Sequence, residues 1–261
     1  MNTSDFIHPD DAAAIKSLES IPALSTIMKK VLDLDAERYI HGVNLASKVK
    51  LSPTQLPDLY GLLPPICKRL GIKEPEFYLE LDPNPNAYTF GDTYTSITIT
   101  TGMVDLMDRD ELVSVLAHEC GHIVCHHLLY HSLSSYLFEM PTSISQLGLS
   151  ELAEPVKAML LSWERISELS ADRVSAFIAG PQTAIWALSR LAGAPDGLNL
   201  EEFARQADIY DEVTDGSLWD RYLKTTSIIS KNHPFTTVRV REILRWVASG
   251  ELKRLNEKYP H

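Results

Sequence analysis

Apolar residues recur at helical spacing in three stretches before residue 72. Asp10 or Asp11 is placed to cap a first helix, Pro22 interrupts it, and the pattern resumes through Ile27, Val31 and Leu32. A third stretch runs from Pro53 past Leu59 and Leu62 to Leu70, with Gly71 as its C-cap and Pro64-Pro65 kinking or splitting it. The period then drops to two. Phe77-Tyr78-Leu79-Glu80-Leu81 reads as a short strand, and Asp82-Pro83-Asn84-Pro85-Asn86 as a turn. Tyr94 to Thr101, β-branched and alternating, is the clearest strand of the chain. Ser and Thr on one side of it and Ile on the other predict one buried face and one wet one. Helical spacing then returns and holds to the C-terminus. The pattern predicts an α+β fold, mostly helical with a small sheet.

The composition narrows the classes. With 261 residues, 44% of them hydrophobic and 23% charged, and no internal repeat, the chain is neither disordered nor collagen-like. Lys and Arg number 24 against 35 Asp and Glu, a formal net charge of -11 that works against binding nucleic acid or an anionic membrane surface. No run approaches the roughly 18 apolar residues of a membrane span. The first residues lack the basic and apolar regions of a secretory signal. Cys67, Cys120 and Cys125 are too few for a disulfide framework, so a cytoplasmic protein is expected.

The chemistry is concentrated in the second half. Asp108-Arg109-Asp110-Glu111 starts a helix in capping-box style, and Leu112, Val115, Leu116, Ile123 and Val124 mark its apolar face. Within it lies His118-Glu119-Cys120-Gly121-His122. Residues four apart on a helix sit one turn above each other, so the two imidazoles can reach one tetrahedral zinc at about 2.0–2.1 Å. Glu119 is placed to take a proton from the attacking water and deliver it to a leaving amine. The competing reading is a helix with two ordinary histidines and a surface glutamate. Gly121 counts against it: a mid-helix glycine costs about 1 kcal/mol relative to alanine, which makes sense if something approaches closely. Glu168 and Asp172, also four apart, share a helix face. Glu168 is placed to complete a His, His, Glu set, and Asp172 to accept a hydrogen bond from a ligand imidazole. A solvated acidic face flanked by Arg165 and Arg173 explains that spacing equally well.

Together, His118-Glu119-Cys120-Gly121-His122 and Glu168-Leu169-Ser170-Ala171-Asp172 resemble the gluzincin metallopeptidases of family M48, relatives of the HtpX heat-shock protease and the CAAX-prenyl proteases. Further elements similar to that family follow in order. They are Asn86-Ala87-Tyr88, Ile97 to Gly102, Asp105-Leu106-Met107 with Glu111-Leu112, His127, and His233-Pro234 with Arg239. The resemblance covers roughly residues 60 to 245. It implies a zincin-like catalytic domain over 60–261, with a small sheet beside the active-site helix. Zinc would be held by His118, His122 and Glu168, with Glu119 as general base and acid. The membrane segments of some members are absent, so prenylated or membrane substrates are not implied.

His233, in a loop before a proline, is placed to donate to the oxyanion of a tetrahedral intermediate. Arg239 either does the same or pairs with an acidic residue near the metal. A peptide or protein substrate would pair its backbone along the Ser96–Thr101 strand at Ile97, Thr98 and Ile99, aided by Asn86 and Ala87. His126 could face the same cleft, although supporting roles are expected for it and for His127 and His131. Cys120 is expected to be a buried, inert thiol, and Trp163, Trp186, Trp219 and Trp246 to be core. Leu128 stands where the metzincin pattern needs its third histidine. Residues 1–59 read as a helical N-terminal extension, either a scaffold for the active-site helix or a gate over the cleft. Two other functions fit the same residues: a non-catalytic zincin-fold peptide-binding protein, and a zinc aminopeptidase.

Overall fold

The computed structural model describes residues 1–21, 24, 27–28, 36–139, 150–195, 197–214 and 236–260. Helix α1 (Pro9–Glu19) is capped by His8, whose ring Nδ1 accepts from the Asp10 N–H at 3.2 Å, with Pro9 at the first helical position. This corrects the expected cap. Asp10 and Asp11 lie inside the helix, and Asp11 is fully buried. Ile27 is buried, and Val31 and Leu32 lie outside the described residues. Helix α2 (Ala36–Ser47) leads into β1 (Val49–Lys50). The third stretch divides into α3 (Pro57–Tyr60) and α4 (Leu63–Leu70). Pro64 and Pro65 fall in the first turn of α4, where a missing N–H breaks no helical bond, and Gly71 closes it at φ 71°.

Strands β2 (Glu76–Glu80), β3 (Ala87–Phe90) and β4 (Ser96–Thr100) join β1 in a mixed sheet of order β1-β2-β4-β3. β2 and β4 are parallel and the other two pairs antiparallel. Two expectations are overturned. β4 is interior, so Ile97, Thr98 and Ile99 offer no edge to a substrate, and β3 is the outermost strand on that side. Nor does β4 have a wet face, because Ser96, Thr98 and Thr100 are as buried as Ile97 and Ile99. Tyr78 and Tyr88 flank Thr98 in register, and Lys48 Nζ donates to Thr98 Oγ1 at 3.3 Å, so a polar layer covers that face. Alternation records the polarity of a face, not what lies over it.

Thr100 caps α5 (Thr101–Leu106). The predicted capping box opens α6 (Arg109–Val124): Asp108 Oδ1 accepts from the Glu111 N–H at 2.9 Å, and Glu111 Oε2 accepts from the Asp108 N–H at 3.0 Å. Helix α7 (Leu128–Glu139) turns 96° away. The chain continues as α8 (Ser150–Ala179), α9 (Pro181–Leu191), α10 (Leu200–Thr214), α11 (Thr236–Ala248) and α12 (Glu251–Lys258). The result is a mostly helical fold with a small mixed sheet. Among the described residues, no single helix is long and apolar enough to cross a membrane.

Helices α6 and α8 run antiparallel in close contact: Ser114 meets Ser175 at 2.7 Å between hydroxyls, and Gly121 meets Ala171 further along. A Cβ on Gly121 would stand 2.8 Å from the Ala171 Cα, so the glycine is what lets the two backbones approach. Gly121→Ala is expected to lose about 1–3 kcal/mol in denaturant unfolding, despite alanine's better helix propensity. An unchanged or raised midpoint would mean that the helices can separate freely.

One core joins the sheet to α4, α6, α9 and α11 through Ile66, Phe77, Ile97, Ile99, Leu116, Ile185 and Ile243. A second joins α1, α7 and α8 through Leu18, Leu133, Leu137, Leu160 and Trp163. Residues before 60 enter both. Phe6 and Leu51 belong to the first core, with Phe6 edge-on to Phe177 at 5.4 Å, and Leu18 belongs to the second. Described residues on both sides of the expected 59/60 boundary share these cores. Trp163 and Trp246 are buried, Trp186 is only half-buried, and Trp219 lies outside the described residues.

Candidate active site

The α6–α8 contact places one pair of side chains four apart against another. His118 Nε2 lies 3.4 Å from Glu168 Oε2, and His122 Nε2 lies 3.4 Å from Glu168 Oε1. Ligand-type atoms of the three residues fall within 4.8 Å of one another. Two imidazole nitrogens and one carboxylate converging on a point make a group that could hold a metal ion. His118 and Glu168 line a cleft of about 280 Å³. The solvated-face reading of Glu168 and Asp172 fails, since both are buried, and Arg173 instead donates to the Ile7 carbonyl at 3.1 Å.

Asp172 and Arg239 sit behind this set. Asp172 Oδ1 is 3.0 Å from His118 Nδ1, so the ring donates there and keeps Nε2 toward Glu168. Arg239, on α11, grips Asp172 through Nε at 2.8 Å and Nη2 at 2.6 Å, and reaches Glu168 Oε2 with Nη1 at 3.0 Å. Of the two roles expected for Arg239, pairing with carboxylates is the one it occupies. Burial alone would raise the pKa of Asp172, but the Arg239 guanidinium and the His118 hydrogen bond together outweigh it and hold the carboxyl below its usual range. Burial likewise opposes a charged His118, yet Glu168 and the Asp172 hydrogen bond push that imidazole up to about 10. His233 lies outside the described residues.

Glu119 is buried beside the histidines and accepts from Thr89 Oγ1, on β3, at 2.6 Å. Thr89 was not among the expected site residues. Its signal was available: it lies two residues beyond Ala87, on the same side of a strand. Asn86 and Ala87 line the cleft with His118, Glu119 and Glu168. Ile97, Thr98 and Ile99 do not; they are buried in the sheet. His126 does not face the cleft either, since it is exposed in a left-handed conformation at φ 59° after α6 ends. Cys120 is fully buried, and its contact with Cys67 together with burial pushes the thiol well up, so it stays protonated.

The turn between α6 and α7 folds His127 back under the site. His127 Nδ1 lies 3.0 Å from His122 Nδ1, and His127 Nε2 lies 2.9 Å from Asp11 Oδ2 on α1. His127 and Asp11 are both fully buried. No sequence signal links Asp11 to the site, because the contact spans more than a hundred residues.

Residues 57–247 match peptidase family M48. The chain is 33% identical over 270 aligned positions to the plastoglobule-localized metallopeptidase 48 of Arabidopsis thaliana, across 99% of this chain and 78% of that protein. It is 27% identical over 223 positions to a protease HtpX homolog of a Sulfurihydrogenibium species, across 72% of this chain and 74% of that one. An HtpX homolog of Ralstonia nicotianae is 24% identical over 230 positions, across 77% and 78% of the two chains. No solved structure matches. A helix pair carrying two imidazoles and a carboxylate around one point is thus found in a sequence related along most of its length to metallopeptidases, and the chain belongs to peptidase family M48, the metal-dependent proteases.

Proposed function

We propose that this protease is a zinc endopeptidase with a zincin-like catalytic fold, in which His118, His122 and Glu168 hold the metal and Glu119 moves the proton. The observation that carries the reading is the convergence of the two Nε2 atoms on the Glu168 carboxylate at 3.4 Å each. Zinc, when bound, polarises the scissile carbonyl and lowers the pKa of the attacking water toward about 7. Glu119 takes the water's proton and delivers it to the departing nitrogen. The Thr89 hydroxyl, donating to Oε2 at 2.6 Å, fixes the carboxylate and leaves Oε1 for that proton. Asp172 orients His118, and Arg239 balances the two buried carboxylates behind it.

The substrate strand adds to the outer edge of β3, next to α6, with Asn86 and Ala87 at its entrance. Val115, Leu188 and Leu191 form an apolar wall of the cleft that suits an apolar side chain beside the scissile bond. A peptide or protein substrate fits this arrangement, and the net charge of -11 disfavours nucleic acid. The free thiols of Cys67, Cys120 and Cys125 support a reducing, cytoplasmic setting. Residues 1–59 and the rest act as one catalytic unit, a reading supported by their shared cores.

The test combines metal content with cleavage of casein and of an N-terminally acetylated quenched peptide. The expected result is zinc at one per chain, cleavage of both substrates, loss of activity on chelation and its return with added zinc. A folded protein that takes up no zinc would sink the site. Cleavage restricted to peptides with a free amine would replace the endopeptidase with an aminopeptidase.

A further inference from the structure

The two histidines facing Glu168 are supported from behind in different ways. His118 rests directly on Asp172. His122 rests on a second imidazole, and that one on a carboxylate from the far end of the chain. With His127 a neutral imidazole, the donors and acceptors along this path admit one assignment. Trp163 Nε1, which can only donate, reaches Asp11 Oδ1 at 2.9 Å. Ser170 Oγ accepts from the His8 N–H at 2.9 Å, so its own proton goes to Asp11 Oδ2 at 2.5 Å. A carboxyl ringed by donors is an acceptor, so His127 carries its proton on Nε2 and gives it to Asp11. The lone pair of His127 Nδ1 is then left to accept from His122 Nδ1–H at 3.0 Å. With Nδ1 protonated, His122 presents its lone pair at Nε2, on the side of Glu168 and His118.

We propose that Asp11 and His127 are positioning residues of the metal site. Asp11, from the N-terminal helix, fixes the tautomer and orientation of His127, and His127 fixes those of His122. The proposal rests on the ligand set given above and adds to it a relay that begins outside the matched family region at residues 57–247. It also decides between two clusters. Among the described residues, His122, His127 and His131 form a second group close enough to hold an ion. The relay engages Nδ1 of His122 and both nitrogens of His127, so that group has no lone pair to offer from His127. The ion therefore belongs with His118, His122 and Glu168.

The test is the zinc dissociation constant of the full chain, measured by competition with a chelating indicator after the metal has been stripped. Circular dichroism checks that each variant is folded at the temperature used. Asp11→Asn is expected to bind zinc about 10–100-fold more weakly than wild type. Ser170→Ala removes a donor to Asp11 without cutting the relay. It should lose stability yet keep its zinc affinity within about threefold, an outcome that separates positioning from mere support of the fold. His131→Ala should also stay within about threefold, and His118→Ala should weaken binding more than any of them. If Asp11→Asn does not fold, His127→Asn reads the relay from its other end with the same expectation. Wild-type affinity in Asp11→Asn or His127→Asn, beside a large loss in His118→Ala, overturns the relay and leaves the ligand set standing. Wild-type affinity in His118→Ala overturns the ligand set, and a large loss in His131→Ala moves the ion to the other cluster; the relay falls in both cases.

Discussion

Replacing Glu119 by glutamine is expected to lower kcat for peptide hydrolysis by about 10²–10⁴-fold while leaving zinc bound and the fold unchanged. The amide matches the carboxylate in shape, and its oxygen can still accept from Thr89 Oγ1, so the site loses a proton acceptor and little else. A group used only as the proton moves should show its loss in kcat, with KM close to wild type. Thr89→Val offers a graded comparison. It keeps the carboxylate and removes the hydroxyl that orients it, so its rate should fall between wild type and Glu119→Gln. Single-turnover assays on an acetylated quenched peptide, with metal content measured on the same samples, read all three proteins. Activity within tenfold of wild type in a metal-loaded Glu119→Gln protein would assign the proton transfer to another group.

The parts of this molecule that could be read in advance are those fixed by local periodicity. His118 and His122 share a face because a helix repeats every 3.6 residues, and the same rule pairs Glu168 with Asp172. The capping box at Asp108 and Glu111 and the left-handed cap at Gly71 are equally local. Gly121 was informative because its propensity penalty needed a reason, and the Ala171 backbone supplies one. What could not be read depends on contacts far apart in sequence. The pattern of Ser96 to Thr100 identifies a strand but not its neighbours, and strand order decides that β3, not β4, is outermost. Asp11 carries the signature of a helix cap. Its burial against His127, Trp163 and Ser170 follows only from how α1 packs on α8. That contact brings a buried carboxylate of α1 to His127 across more than a hundred residues.

The largest stability effect is expected at Arg239. Arg239→Met removes the cation from between Asp172 and Glu168, both buried, and keeps most of the side chain's apolar bulk. Taking one partner from a buried charge cluster leaves the others desolvated and unbalanced, at about 3–5 kcal/mol. That is a large share of the roughly 5–15 kcal/mol that holds a typical domain together. Denaturant unfolding should be followed on metal-free protein, because a bound metal adds its own stabilisation to the folded state. The effect carries a pH signature. The folded Asp172 pKa is depressed, so its contribution is fully present above the unfolded value of about 3.9 and is lost as pH falls through the folded value. In Arg239→Met, burial acts unopposed by that cation, and the gap from wild type should be widest near neutral pH and close on acidification. Adding Asp172→Asn to Arg239→Met removes the stranded charge and should recover part of the loss, giving a coupling that additive sites would not show. A cost below about 1 kcal/mol, constant with pH, would put the pair in the class of exposed ion pairs, and Arg239 would then matter for the geometry of Asp172 rather than for holding the fold.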